Sequence, residues 1–166
     1  MRCVLLGLCL ITVACGQSPS APSPLPDLPF VSGAASAVAG SNLPFKGSFS
    51  ATETVAGPLH ILTGEGEATQ LGRFTITSSF NVIPPPVSTA TGTATWTASN
   101  GDQLLTDVTG AAVIAFPTAT ITETHTITGG TGRFADASGT LIVERLLNLQ
   151  SLASTATVSG TVTLGH

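Results

Sequence analysis

The feature that most constrains this chain is a two-residue period that runs, broken only at turn residues, from Pro44 almost to the C-terminal end. In its clearest stretch Thr89, Thr91, Thr93, Thr95 and Thr97 alternate with Ala90, Gly92, Ala94, Trp96 and Ala98. A second run sets Thr118, Thr120, Thr122, Thr124, Thr126 and Thr128 against Ile121, Glu123, His125 and Ile127. Successive side chains of a strand leave opposite faces, whereas a helical face recurs every 3.6 residues, so these runs read as half-buried strands.

The same period places Phe45, Gly47, Phe49 and Ala51 opposite Lys46, Ser48, Ser50 and Thr52, and Phe74, Ile76, Phe80 and Val82 opposite Arg73, Thr75, Ser79 and Asn81. Between them a run passes through Leu59, Ile61 and Leu62 to Leu71. Pro84-Pro85-Pro86 ends a strand, because proline cannot donate to a ladder. Asn100-Gly101 is a two-residue hairpin signal, and its return strand through Leu104, Thr106 and Val108 is expected to turn near Gly110. Leu141 to Leu149 follows, and then a last strand with Val158, Val162 and Leu164 facing away from Thr157, Thr161 and Thr163. About eight short strands without a helical stripe predict an all-β domain, either an antiparallel barrel or a tight sandwich. The barrel is preferred, because closure removes exposed strand edges.

Charged residues are only 8% of the 166, whereas threonine occurs 26 times, so hydroxyls must wet most of the outer face. A net charge of -4 argues against a nucleic-acid footprint. Regular threonine ladders can order water and bind ice, but on a twisted barrel they are expected to be a soluble outer face of strand-favouring residues.

The N-terminus has the form of an export signal: Arg2, then an apolar run from Val4 to Ala14, too short to span a bilayer as a helix. Thr12-Val13-Ala14-Cys15 resembles the lipobox of bacterial lipoproteins, with Thr12 in place of the usual leucine. Cys3, Cys9 and Cys15 all lie in this leader, which leaves the exported domain without a disulfide. The expected organisation is a lipoprotein signal peptide over 1–14, lipidation at Cys15, a Pro/Ser/Ala-rich tether over 15–43 and a barrel domain over 44–166. Ordinary signal cleavage and secretion is the alternative. The tether can hold the domain about 30 to 80 Å from its anchor. This places the protein in the bacterial cell envelope, and Gly16 rather than aspartate after the cysteine leans towards the outer membrane.

Gly129-Gly130-Thr131-Gly132-Arg133-Phe134-Ala135-Asp136-Ala137-Ser138-Gly139 is a glycine-rich corner between two strands. Phe134 is its one large apolar side chain and is expected to plug the end of the core, with Arg133 wet or paired with a carboxylate. Together with Gly64-Glu65-Gly66-Glu67-Ala68-Thr69-Gln70-Leu71-Gly72-Arg73-Phe74-Thr75 and Ala98-Ser99-Asn100-Gly101-Asp102-Gln103-Leu104, it resembles, in this order, a group of exported bacterial proteins with a barrel similar to allene oxide cyclase. The wider superfamily includes the plant dirigent proteins. The resemblance covers roughly residues 44 to 164. It implies an eight-stranded, calycin-like antiparallel barrel whose lumen takes a small apolar molecule. Gln70 stands where that group commonly has histidine, and Asp136 where glycine is usual. The resemblance carries no catalytic residue onto this chain.

Glu123 and His125, two residues apart, leave their strand on one face about 6.5 to 7 Å apart, beside Ile121 and Ile127. In an apolar lumen a carboxylate and an imidazole can act as an acid–base pair. The plainer reading is a mutually satisfied pair near a barrel mouth, or one satisfied by Arg133. Trp96, Phe80 and Ile121 are the side chains expected to line a ligand site, although a lone Trp96 on a face of small residues is more often a core plug than a ligand platform. A metal held by His60, His125 and a carboxylate has no supporting ligand spacing, so no metal is expected. Glu65 and Glu67 share a face opposite Gly64, Gly66 and Ala68, which fits solvated charge outside close packing. The glycine corner lacks the lysine and following helix of a phosphate cradle, and no cofactor is expected. No serine or threonine sits in a recognisable nucleophile motif.

The leading expectation is a non-enzymatic envelope lipoprotein whose barrel binds a small hydrophobic ligand or another envelope component. A cyclase or isomerase using Glu123 and His125, and a structural surface module, are the alternatives. Lumen volume discriminates: several hundred cubic ångströms suits binding or catalysis, whereas a packed interior suits the structural module.

Overall fold

The structure, a computed structural model, describes residues 42–165. The leader, Cys15 and the tether up to residue 41 lie outside the described residues. Eight strands follow one another: β1 (Leu43–Ala56), β2 (Leu59–Ala68), β3 (Gly72–Ile83), β4 (Thr89–Ala98), β5 (Gln103–Ala115), β6 (Thr118–Gly130), β7 (Ser138–Asn148) and β8 (Ala153–Thr163). Each pairs antiparallel with the next, and β8 returns to β1 with Ala156 opposite Phe49. The sheet is therefore a closed eight-stranded barrel without an edge strand.

The alternation read from the sequence is the inside–outside pattern of the wall. Phe45, Phe49, Phe74, Ile76, Trp96, Leu141, Val143, Val158 and Val162 point inward and are buried. The threonines of β4 and β6 face outward, as do Glu65 and Glu67. One expectation is corrected. β5 does not turn at Gly110 but runs on to Ala115, and the chain reverses at Phe116-Pro117. Gly110 lies opposite Glu123 in the ladder, where an added Cβ would stand 3.0 Å from Glu123 Cγ. The glycine makes room for a neighbouring side chain and does not mark a turn.

Strand alternation sends the connections to two ends of different character. At one end lie the β2–β3 turn, the Asn100-Gly101 hairpin and the glycine corner, and this end is closed. A single 3-10 turn, Gly132–Phe134, buries Phe134 completely, while the Arg133 guanidinium lies 4.7 Å from the centre of the Phe134 ring. Gly132 has φ +56°, and a Cβ there would overlap the Asp102 carboxylate. That carboxylate accepts hydrogen bonds from Asn100 Nδ2 (2.9 Å) and the Arg133 amide (3.4 Å), so the β4–β5 hairpin and the glycine corner lock together. Below them Trp96 packs against Phe74, Phe49 and Phe45 with ring centroids 5.1, 5.6 and 6.3 Å away. This half of the lumen is filled by its own side chains.

Candidate functional site

The other half is not filled. Small residues on β4 and β5 (Ala90, Gly110, Ala112) leave a cavity of about 130 Å³ beside Phe80, Ala119, Ile121 and Leu147. Its mouth opens among Ile83, Pro84, Pro85, Ser88 and Ile114. Four charged or titratable side chains also reach it: Glu53 from β1, His60 from β2, Glu123 from β6 and Arg145 from β7.

These four form one network inside an apolar wall. Arg145 is fully buried and lies between two carboxylates, donating from Nη1 to Glu53 Oε1 and from Nη2 to Glu123 Oε1, the latter at 2.9 Å. Glu53 Oε2 lies 3.1 Å from His60 Nδ1, and Glu123 Oε2 lies 3.6 Å from His125 Nε2. His125 Nδ1 meets Thr106 Oγ1 at 3.0 Å, and its ring packs edge-on against Trp96 at 5.4 Å. The array therefore runs His60, Glu53, Arg145, Glu123, His125 across the lumen, with the guanidinium 5.9 Å above the Phe80 ring. Burial by itself would raise the Glu123 pKa, but the nearby His125 and the Arg145 charge outweigh it and hold this carboxyl below the ordinary carboxylate value. Burial likewise opposes the charge on Arg145, and Glu123 and Glu53 overcome it, keeping the guanidinium charged.

Among the residues singled out from sequence, Phe80, Ile121 and Glu123 share the cavity wall. His125 is buried one step deeper and does not line the cavity. Trp96 does not line it either; it sits fully buried in the packed half. The partner of Glu123 is Arg145, whereas Arg133 lies at the closed end. Among the described residues no three histidine, cysteine or carboxylate side chains are grouped as metal ligands.

Neither Glu53 nor Arg145 is singled out by the sequence, which brings in His60 only as a metal ligand. The signal for Glu53 was present: one more step of the period from Phe49 and Ala51 puts Glu53 on the inner face. Arg145 gave no such signal, because residues 141–147 are apolar on both faces and leave the facing of Glu144 and Arg145 ambiguous.

No family model matches this chain, and no curated protein matches it. Among solved structures, that of the pterocarpan synthase dirigent protein GePTS1 is similar, with a TM-score of 0.50 and 10% sequence identity, over 75% of this chain and 92% of that one. The fold is thus a dirigent-like β-barrel. At this identity the likeness is one of fold and assigns no residue a role.

Proposed function

We propose that this is a lipid-anchored envelope protein whose barrel binds a small, largely apolar molecule through its open end without catalysing a reaction. The observation that carries the reading is the cavity of about 130 Å³, apolar-walled and set over two carboxylates held by one guanidinium. An engineered apolar cavity of about 150 Å³ holds benzene, and pockets that enclose drug-sized ligands run to roughly 300–1,000 Å³. One ring or a short chain fits inside, and the rest of a larger ligand would lie on the rim. That rim suits it: the connections and strand ends at this end, residues 55–58, 83–88, 113–117 and 149–152, contain no charged residue. Ile83, Val87, Val113 and Phe116 are exposed there.

The charged set argues for binding over acid–base chemistry. A general base works best with a pKa near the operating pH, whereas Glu123 is held low by Arg145 and His125. The isomerase reading is the second choice, kept because Glu123 and His125 stand 3.6 Å apart and because a barrel of similar fold occurs in a protein named as a pterocarpan synthase. Glu123→Gln and His125→Gln separate the two: turnover of a cavity ligand by the wild type that either substitution abolishes would favour catalysis.

For the binding reading, toluene titrated into the full-length protein should give saturable methyl shifts at Ile121, Ala119 and Leu147. Ile121→Trp should fill the space and abolish them. Absence of saturable shifts in the wild type would refute the site. The anchor reading rests on the leader, and Cys15→Ala should release the protein from membranes; continued retention would refute lipidation.

A further inference from the structure

The polar atoms around the cavity are almost all spent on one another. Both oxygens of Glu53 are engaged, by Arg145 and His60, and both oxygens of Glu123 face Arg145 and His125. Arg145 Nε lacks a partner but is sealed in the core, as are His125 Nε2 and Trp96 Nε1. Ser88 and Thr89 reach the lining only at the rim, where water competes for their hydroxyls.

His60 differs from all of these. Its Nδ1 is tied to Glu53, its ring leans on Phe80 at 5.8 Å with an interplanar angle of 34°, and its side chain keeps 19% of its surface exposed. Among the described residues its Nε2 has no hydrogen-bond partner, and it is not among the sealed nitrogens. A carboxylate only accepts, so the Nδ1 position facing Glu53 carries the proton, and whenever the ring is neutral Nε2 presents a bare lone pair. Glu53 thus sets the tautomer and Phe80 the orientation of an acceptor on the cavity wall.

Resting on the binding function proposed above, we infer that His60 Nε2 reads the ligand, and that the site selects apolar molecules bearing one hydroxyl or N–H donor. An apolar or acceptor-only molecule of the same shape strips water from Nε2 and gives nothing back, so it binds more weakly. The charged array beneath offers the cavity no free polar atom, since its oxygens are engaged and its unpartnered nitrogens are sealed in the core, and so it enforces a single polar point on the ligand.

The test compares toluene with two isomers, benzyl alcohol, which donates, and anisole, which only accepts. Each is titrated into the full-length protein at pH 8, above the ordinary imidazole range, and followed by methyl and imidazole ¹⁵N resonances. Benzyl alcohol should bind roughly three- to tenfold more tightly than anisole, and it alone should move the His60 Nε2 resonance. His60→Leu should abolish the preference for benzyl alcohol over anisole; the resonance measurement on wild type decides the matter if that variant does not fold. Toluene binding with equal affinities for the isomers, or a preference for anisole, would overturn the inference and leave the cavity reading standing. Failure of all three probes to bind would overturn both.

Discussion

At the scale of single residues the decisive side chain is Arg145. One buried guanidinium holds two buried carboxylates, and removing it would leave two like charges facing each other in the core. Breaking a buried ion pair costs about 3–5 kcal/mol, whereas replacing the whole set by well-packed apolar residues is often neutral. Arg145→Met is therefore expected to lower unfolding stability by about that amount, read from the urea midpoint, and the triple variant Glu53→Leu, Glu123→Leu, Arg145→Met to recover most of it. A loss below about 1 kcal/mol in the single variant would contradict the network. Gly132 is the second such residue: with φ +56° and the Asp102 carboxylate where a Cβ would go, Gly132→Ala should cost about 1–3 kcal/mol in the same assay. An unchanged midpoint would show that the corner relaxes freely.

At the scale of elements, the network ties together strands that are not all neighbours. β6 and β7 pair directly, but Arg145 on β7 reaches past β8 to Glu53 on β1, crossing the lumen. This cross-lumen brace has a pH signature through Glu123, whose folded pKa lies below its ordinary value of about 4.5. A depressed carboxylate contributes stability that is fully present above its unfolded pKa and is lost as pH falls through the folded one. Stability should accordingly fall on acidification below about pH 4.5, and Glu123→Gln should have a shallower dependence there. Identical slopes in the two proteins would contradict the assignment.

What the sequence disclosed follows these same elements. β4 and β6 were legible because threonine marks one face and small or apolar residues the other. Phe134 was legible as a plug because it is the lone large apolar residue in a corner that must turn. β7 was not, since Leu141, Ile142, Val143, Leu146 and Leu147 erase the contrast between faces just where Arg145 matters. Gly110 misled for a related reason, because a glycine that yields space to a cross-strand Glu123 looks the same in sequence as one that turns the chain. Half of the site was in view, as Glu123, Phe80 and Ile121. Its partners Glu53, His60 and Arg145 come from three other strands, and their meeting depends on barrel closure and register that no local pattern encodes.

At the scale of the whole molecule the barrel is asymmetric along its axis. One end carries the glycine corner, the buried Phe134 and the aromatic cluster around Trp96, and is filled. The other carries an uncharged rim, the cavity and, beneath it, the paired charges that separate cavity from packed core. The order of these layers explains why a lumen expected to be either open or packed is both, half and half.

The central claim is that the open half is an apolar-walled binding cavity, and xenon tests it most directly, because it enters apolar cavities and needs no polar recognition. In crystals of the protein pressurised with xenon, one site should appear between Phe80, Ile121 and Leu147, with none beside Trp96. An empty cavity under pressure, or xenon in the aromatic half instead, would contradict the account.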